Sequence, residues 1–94
     1  MSMNLKTARA AIPPFVYSRS AGDRFVLLNV HSLLTMALDD VTSRLWKRLE
    51  DQPAQECSVR ELVGAYAPQG GAAAEIATQR VQQLVQAKFL ELKE

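Results

Sequence analysis

The residue best suited to catalysis in this 94-residue chain is its one histidine, His31. A histidine acts as a general base when a nucleophile lies beside it and a carboxylate orients its ring. Ser32 follows His31 directly, but no Asp or Glu is close to the pair in the sequence. We therefore expect His31 to be an exposed turn residue and the chain not to be an enzyme, although sequence alone leaves a distant carboxylate open.

Three other features suggest chemistry less strongly. Asp39-Asp40 resembles a metal or acid/base pair, but adjacent carboxylates before a helix more often cap it. Cys57 is a single thiol, and one thiol with one histidine cannot supply the four ligands of a structural zinc site. Gly70-Gly71 opens a helical stretch without the spacing of a phosphate-binding loop. The sequence predicts no metal and no cofactor.

Composition and charge narrow the class of protein. Hydrophobic content of 48% with 22% charged residues is typical of a folded domain, and 94 residues suffice for one core. Eleven Lys and Arg against ten Asp and Glu give a net charge of +1, whereas nucleic-acid-binding domains are usually strongly basic. No apolar run approaches the roughly 18 residues of a membrane span, and no secretory signal is evident. We expect a cytoplasmic protein that binds neither membrane nor nucleic acid.

Turn residues divide the first half into an arm and three strands. Residues 1–14 end in Ile12-Pro13-Pro14 and predict a flexible arm. Residues 15–19 and 24–30 are rich in β-branched and aromatic residues and flank a Gly-Asp turn, which is typical of a β-hairpin. After a turn at His31-Ser32, residues 33–38 predict a third antiparallel strand. Residues 15–94 would form the folded domain.

The second half has helical periodicity. Val41, Leu45, Trp46 and Leu49 share one face of a first helix that begins after the Asp39-Asp40 pair. A second helix begins at a Ser58-x-x-Glu61 capping box and stops near residue 68. A third runs from residue 72 to about 88. The fold class is α+β, with a three-stranded antiparallel sheet followed by three helices.

The predicted third strand lacks the charges and prolines with which natural proteins protect a sheet edge. Leu34, Met36 and Leu38 alternate with Leu33, Thr35 and Ala37. An uncharged edge is either covered by the chain itself or open to an added strand from a partner. The sequence leaves both possibilities open.

Five short segments carry a family resemblance: Asp23 to Asn29, Ala37-Leu38-Asp39, Leu45-Trp46, Val59-x-Glu61-Leu62-Val63 and the segment from Val81 to Leu92. Together with the order of the elements, they resemble the PqqD family, named for coenzyme PQQ (pyrroloquinoline quinone) synthesis protein D. The resemblance covers roughly residues 15–92. Two segments depart from the family pattern, because Asp39 replaces the usual Asn and residues 50–56 replace a compact Asp-Gly turn.

The resemblance implies a winged helix-turn-helix-like RiPP recognition element. Such a domain is a peptide chaperone that binds the leader of a ribosomally made precursor peptide and presents it to a modifying enzyme, such as a radical-SAM or cyclisation enzyme, in PQQ or related biosynthesis. The leader would lie as an added strand beside the third strand, facing the third helix. The implied peptide-binding residues are Leu33, Thr35, Met36 and Ala37 on the strand, and Ala77, Arg80, Val81 and Leu84 on the helix.

Two other functions fit the same elements. A winged-helix DNA-binding protein could place the third helix in the major groove, although Arg80 and Lys88 offer few phosphate contacts. A structural subunit could instead pair its third strand with that of a second copy.

Overall fold

The computed structural model describes residues 7–93 and shows an α+β fold. Its elements in chain order are β1 (Arg9–Ala11), β2 (Val16–Ala21), β3 (Arg24–Asn29), β4 (Leu34–Ala37), α1 (Asp40–Glu50), a 3-10 turn (Pro53–Gln55), β5 (Glu56–Ser58), α2 (Val59–Tyr66), α3 (Gly71–Gln86) and β6 (Glu91–Lys93). The predicted hairpin, third strand and three helices are confirmed. No helix among residues 7–93 has the length and hydropathy to cross a membrane.

The predicted meander is the sheet β2-β3-β4, in which both pairings are antiparallel. Gly22 has φ +69° at the β2–β3 turn, a conformation that glycine adopts without strain. The inner face of this sheet packs on the helices, since Leu27 is fully buried and Met36, its partner in β4, contacts the core. β4 pairs with β3 on one side and is an edge of the sheet on the other.

A second antiparallel sheet has the order β5-β1-β6 and was missed by sequence analysis. The expectation of a flexible arm over residues 1–14 is therefore wrong for Arg9–Ala11, because this segment is the central strand of that sheet. Its small side chains allow close packing, and both Ala8 and Ala10 are fully buried. Residues 1–6, the rest of the predicted arm, lie outside the described residues.

Two of the three helices, α1 and α2, begin where capping residues predict. Asp39 caps α1 by accepting a hydrogen bond from Thr42 N at 2.8 Å, and Ser58 caps α2 by accepting from Glu61 N at 3.0 Å. Trp46 lies in the core, as the helical spacing predicts, and its Nε1 donates to Glu50 Oε2. The Ser18 hydroxyl donates to the same carboxylate oxygen, which ties α1 to the inner face of β2.

Candidate functional site

The open edge of β4 consists of backbone groups that point away from β3. Leu38 N donates to Phe25 O, so the Phe25–Leu38 pair is hydrogen-bonded. Since hydrogen-bonded and non-bonded pairs alternate along an antiparallel ladder, Leu34 and Met36 turn their N–H and C=O groups toward β3. Thr35 and Ala37 turn theirs outward. Both residues are exposed, and no strand among residues 7–93 pairs with their outward N–H and C=O groups.

The α3 helix lies beside this edge and is tied to both ends of β4. Near one end, Arg80 Nε donates to Asp39 Oδ2 at 2.9 Å, two residues beyond the last residue of β4. Near the other end, the buried Asn29 donates through Nδ2 to Lys88 O at 2.8 Å. Asn29 pairs with Leu34 at the start of β4. The strand and the helix therefore run side by side between two side-chain hydrogen bonds.

Asn29 also builds the turn that leads into β4. Its Oδ1 accepts hydrogen bonds from His31 N at 2.9 Å and Ser32 N at 3.2 Å, while its Nδ2 is engaged by Lys88 O. Such Asn side chains replace backbone partners in turns. One buried amide thus fixes the start of β4 relative to the end of α3.

The electrostatics of Asp39 follow from its two roles. Partial burial acts to raise the pKa of this carboxyl, but hydrogen bonds from Thr42 and the nearby Arg80 guanidinium outweigh it and lower the pKa below 3.8. The Asp39 and Arg80 side chains remain 47% and 29% exposed. Solvent therefore screens the pair, and its net contribution to stability is at most about 1 kcal/mol.

The strand residues expected to bind peptide lie at the surface beside the open edge. Leu33, Thr35 and Ala37 are exposed and Met36 is half-buried. Leu33 lies in the turn with φ +61°, whereas Leu34 begins the strand. Leu34 is 55% exposed on the face shared with Met36 and was left out of the sequence-based site. The alternation of Leu34 with Met36 in the sequence is the signal that could have identified Leu34 as a site residue.

Three of the four helix residues expected to bind peptide are core residues. Ala77, Val81 and Leu84 are 0–2% exposed and pack in the hydrophobic core, so their side chains offer no surface to a ligand. That part of the expectation is wrong because the apolar stripe of an amphipathic helix faces its own domain. Arg80 stays accessible, although Asp39 holds it.

The accessible surface of α3 next to the stripe is the α3 flank, made of Ile76, Arg80, Gln83 and Ala87. Residues three and four apart share a helix face, so these four side chains form one row. The contact between Arg80 and Asp39 places this row on the side of the helix near the end of β4. Ile76, an apolar side chain in this row, is 41% exposed to solvent.

The residues considered for catalysis do not assemble a site. The His31 ring stacks on Phe15 with centroids 4.0 Å apart, and no carboxylate hydrogen-bonds to it among residues 7–93. Cys57 is buried, and burial raises the pKa of its thiol. In the described part of the chain, His, Cys, Asp and Glu form no cluster that could hold a metal ion.

No protein-family model matches this chain, and no curated protein matches it. Among solved structures, it is similar to TbiB1 in complex with the TbiA(beta) leader peptide, with a TM-score of 0.67 and 24% sequence identity. The likeness covers 86% of this chain and 94% of that one. It shows that the two chains share a fold, while membership of the PqqD family stays a prediction.

Proposed function

We propose that this protein is a non-catalytic adaptor that binds the leader of a ribosomally made precursor peptide as an added strand on β4. It would then present the peptide to a modifying enzyme, such as a radical-SAM or cyclisation enzyme, in PQQ-like or other peptide biosynthesis. Because precursor peptides are made on ribosomes, this role places the protein in the cytoplasm. The solved neighbour, a complex with a leader peptide, supports the proposal.

The observation that carries the proposal is the uncharged open edge of β4. Thr35 and Ala37 present two N–H and two C=O groups with no partner strand among residues 7–93. An extended peptide can pair with all four groups, and its alternate side chains would meet Leu34, Met36 and the α3 flank. Backbone pairing would supply affinity, and these side chains would supply selectivity.

The expected affinity is moderate. Each added hydrogen bond contributes about 0.5–1.5 kcal/mol net, and ordering a disordered leader costs about 2–5 kcal/mol or more. A few apolar contacts must therefore supply the remaining favourable free energy of binding. Binding in the micromolar range or somewhat tighter follows, where 1 μM corresponds to about −8 kcal/mol.

The contact between Arg80 and Asp39 counts against DNA recognition by α3. Arg80 is the one basic residue within Gly71–Gln86, and it already donates to a carboxylate. A recognition helix that lies in the major groove needs unpaired basic side chains to contact the phosphates on either side of it. The α3 helix is therefore better suited to forming one wall of a peptide-binding groove than to acting as a DNA recognition helix.

The deciding experiment replaces Thr35 with proline and titrates a synthetic leader, taken from the precursor encoded beside this gene, into the protein. Proline removes an N–H that points to solvent, so the β3–β4 ladder stays intact. We expect Thr35→Pro to abolish binding and to leave the circular dichroism spectrum unchanged.

Thr35→Val is the matched control, because valine keeps the N–H and the branched shape. It should bind the leader with nearly the affinity of the original protein. Undiminished binding by a folded Thr35→Pro variant would rule out strand addition at β4.

A further inference from the structure

The β2-β3-β4 sheet has a second face that nothing in the described part of the chain covers. Successive side chains of a strand point to opposite faces, and directly paired residues share a face. Leu27 and Met36 mark the inner face, so the other set points outward. We call this set the outer face: Tyr17, Arg19 and Ala21 in β2, Arg24, Val26 and Leu28 in β3, and Thr35 and Ala37 in β4.

The outer face is apolar at its centre. Tyr17, Leu28 and Thr35 form one cross-strand row, and Tyr17 is 60% exposed. In the next row, Arg19 and Ala37 flank the exposed Val26. Contiguous apolar patches on a sheet surface are typical of sites where another protein docks.

The charge of this face identifies the chemistry of its partner. Arg19 is exposed and has no ion-pair partner among residues 7–93, whereas Arg24, the other arginine of this face, is paired with Asp40. Two copies packed face to face would each bring an unpaired Arg19, while the one carboxylate found beside the face, that of Asp40, is already held by Arg24. A different protein with an apolar surface and an acidic residue at its border would complement the face.

The geometry of strand addition adds a reason for this partner to recognise the loaded protein. A peptide paired with Thr35 and Ala37 becomes the next strand of the same sheet, and every second side chain of that peptide continues the outer face. A protein docked there would contact the sheet and the peptide together.

We propose that the outer face is the docking surface for the peptide-modifying enzyme, which contributes an apolar patch and a carboxylate that pairs with Arg19. The part of this surface that the peptide supplies rests on the proposed function. The part built by Tyr17, Arg19, Val26 and Leu28 belongs to this chain itself, but the identity of the partner as the modifying enzyme rests on the proposed function as well.

The test measures two affinities for the full chain: that of the synthetic leader and that of the modifying enzyme encoded with the precursor, with and without leader. Arg19→Glu should weaken enzyme binding at least about tenfold, because a favourable charge contact becomes repulsive. Tyr17→Ser should weaken it similarly by removing apolar area. Leader affinity should change less than about twofold, since neither side chain lies at the β4 edge.

Arg60→Glu is the matched control, an exposed charge reversal on α2 away from this sheet, and it should leave both affinities unchanged. Equal enzyme binding by the original protein, Arg19→Glu and Tyr17→Ser would overturn the docking surface while leaving leader binding intact. No enzyme binding at all, or a dimer of the isolated protein that Tyr17→Ser dissociates, would overturn it too. Enzyme binding that is lost in Arg19→Glu but never depends on leader would support the part of the surface built by this chain and exclude the part supplied by the peptide.

Discussion

Arg80 Nε lies 2.9 Å from Asp39 Oδ2, while Oδ1 of the same carboxylate accepts a hydrogen bond from Thr42 N. One side chain therefore caps α1 and holds α3 beside the end of β4. The two roles use different oxygens, so substitutions at position 39 can separate them.

Asp39→Asn and Asp39→Ala should differ in their effect on the free energy of unfolding. Asparagine caps helices as well as aspartate does, so Asp39→Asn loses only the screened ion pair, at most about 1 kcal/mol. Asp39→Ala also loses the cap, which costs about 0.5–2 kcal/mol more. Urea denaturation measures both. Equal destabilisation by the two variants would show that the cap contributes nothing.

The titration of Asp39 should depend on Arg80. The folded-state pKa is lowered below 3.8, because hydrogen bonds from Thr42 and the charge of Arg80 outweigh partial burial. This carboxylate therefore stabilises the fold above its unfolded pKa, and the stabilisation is lost as the pH falls through the lower folded pKa. In Arg80→Gln the pKa should move up toward 3.8, as measured by NMR titration of the carboxyl carbon. An unchanged titration would mean that Arg80 does not contact Asp39 in solution.

Asn29→Ala should both destabilise the protein and weaken peptide binding. The substitution leaves Lys88 O without its donor and the turn N–H groups of His31 and Ser32 without their acceptor, at a cost of about 1–3 kcal/mol. Thermal unfolding gives the first effect and leader titration the second. Gln82→Ala, at an exposed position of α3, is the control and should change neither.

Ile76→Ala and Leu84→Ala should have opposite signatures. Ile76 is partly exposed on the α3 flank, so its truncation should lower leader affinity with little change in stability. Leu84 is in the core, where loss of its side chain costs about 2–5 kcal/mol of stability. The comparison requires titration at a temperature where both variants are folded. If a folded Leu84→Ala variant loses leader affinity and Ile76→Ala does not, the apolar stripe of α3 belongs to the binding site after all.

Cys57 should react with thiol reagents only when the protein unfolds. The side chain is buried, and burial is the main reason that the pKa of its thiol is raised. The rate of labelling by a disulfide reagent should therefore rise with urea in parallel with unfolding. Fast labelling in the native state would contradict the packing of β5 against β1.

Much of the fold was predictable because its larger elements have strong periodic patterns. The Gly-Asp turn located the β2–β3 hairpin, and the Ser58 capping box located α2. The strands β1, β5 and β6 have three residues each, too few for alternation to appear. Arg9–Ala11 gave no strand pattern, and its pairing depends on segments far away in the sequence.

The site was predictable on its strand side and less so on its helix side. An uncharged edge strand is visible in the sequence, and Thr35 and Ala37 lie at that edge as expected. The apolar stripe of α3, which consists of Ala77, Val81 and Leu84, was predicted to contact the ligand, but it packs in the hydrophobic core. Hydrophobic periodicity shows which face of a helix is apolar but not whether a ligand or the domain covers that face.

The central position of β1 has a consequence for the order of folding. Arg9 pairs with both Ser58 and Lys93, so this strand needs partners from the middle and the far end of the described chain. Closing such long loops costs more entropy than closing the β2–β3 hairpin, whose strands are neighbours. The sheet that bears the open β4 edge can thus form early, while the sheet built on β1 must wait until most of the chain is in place.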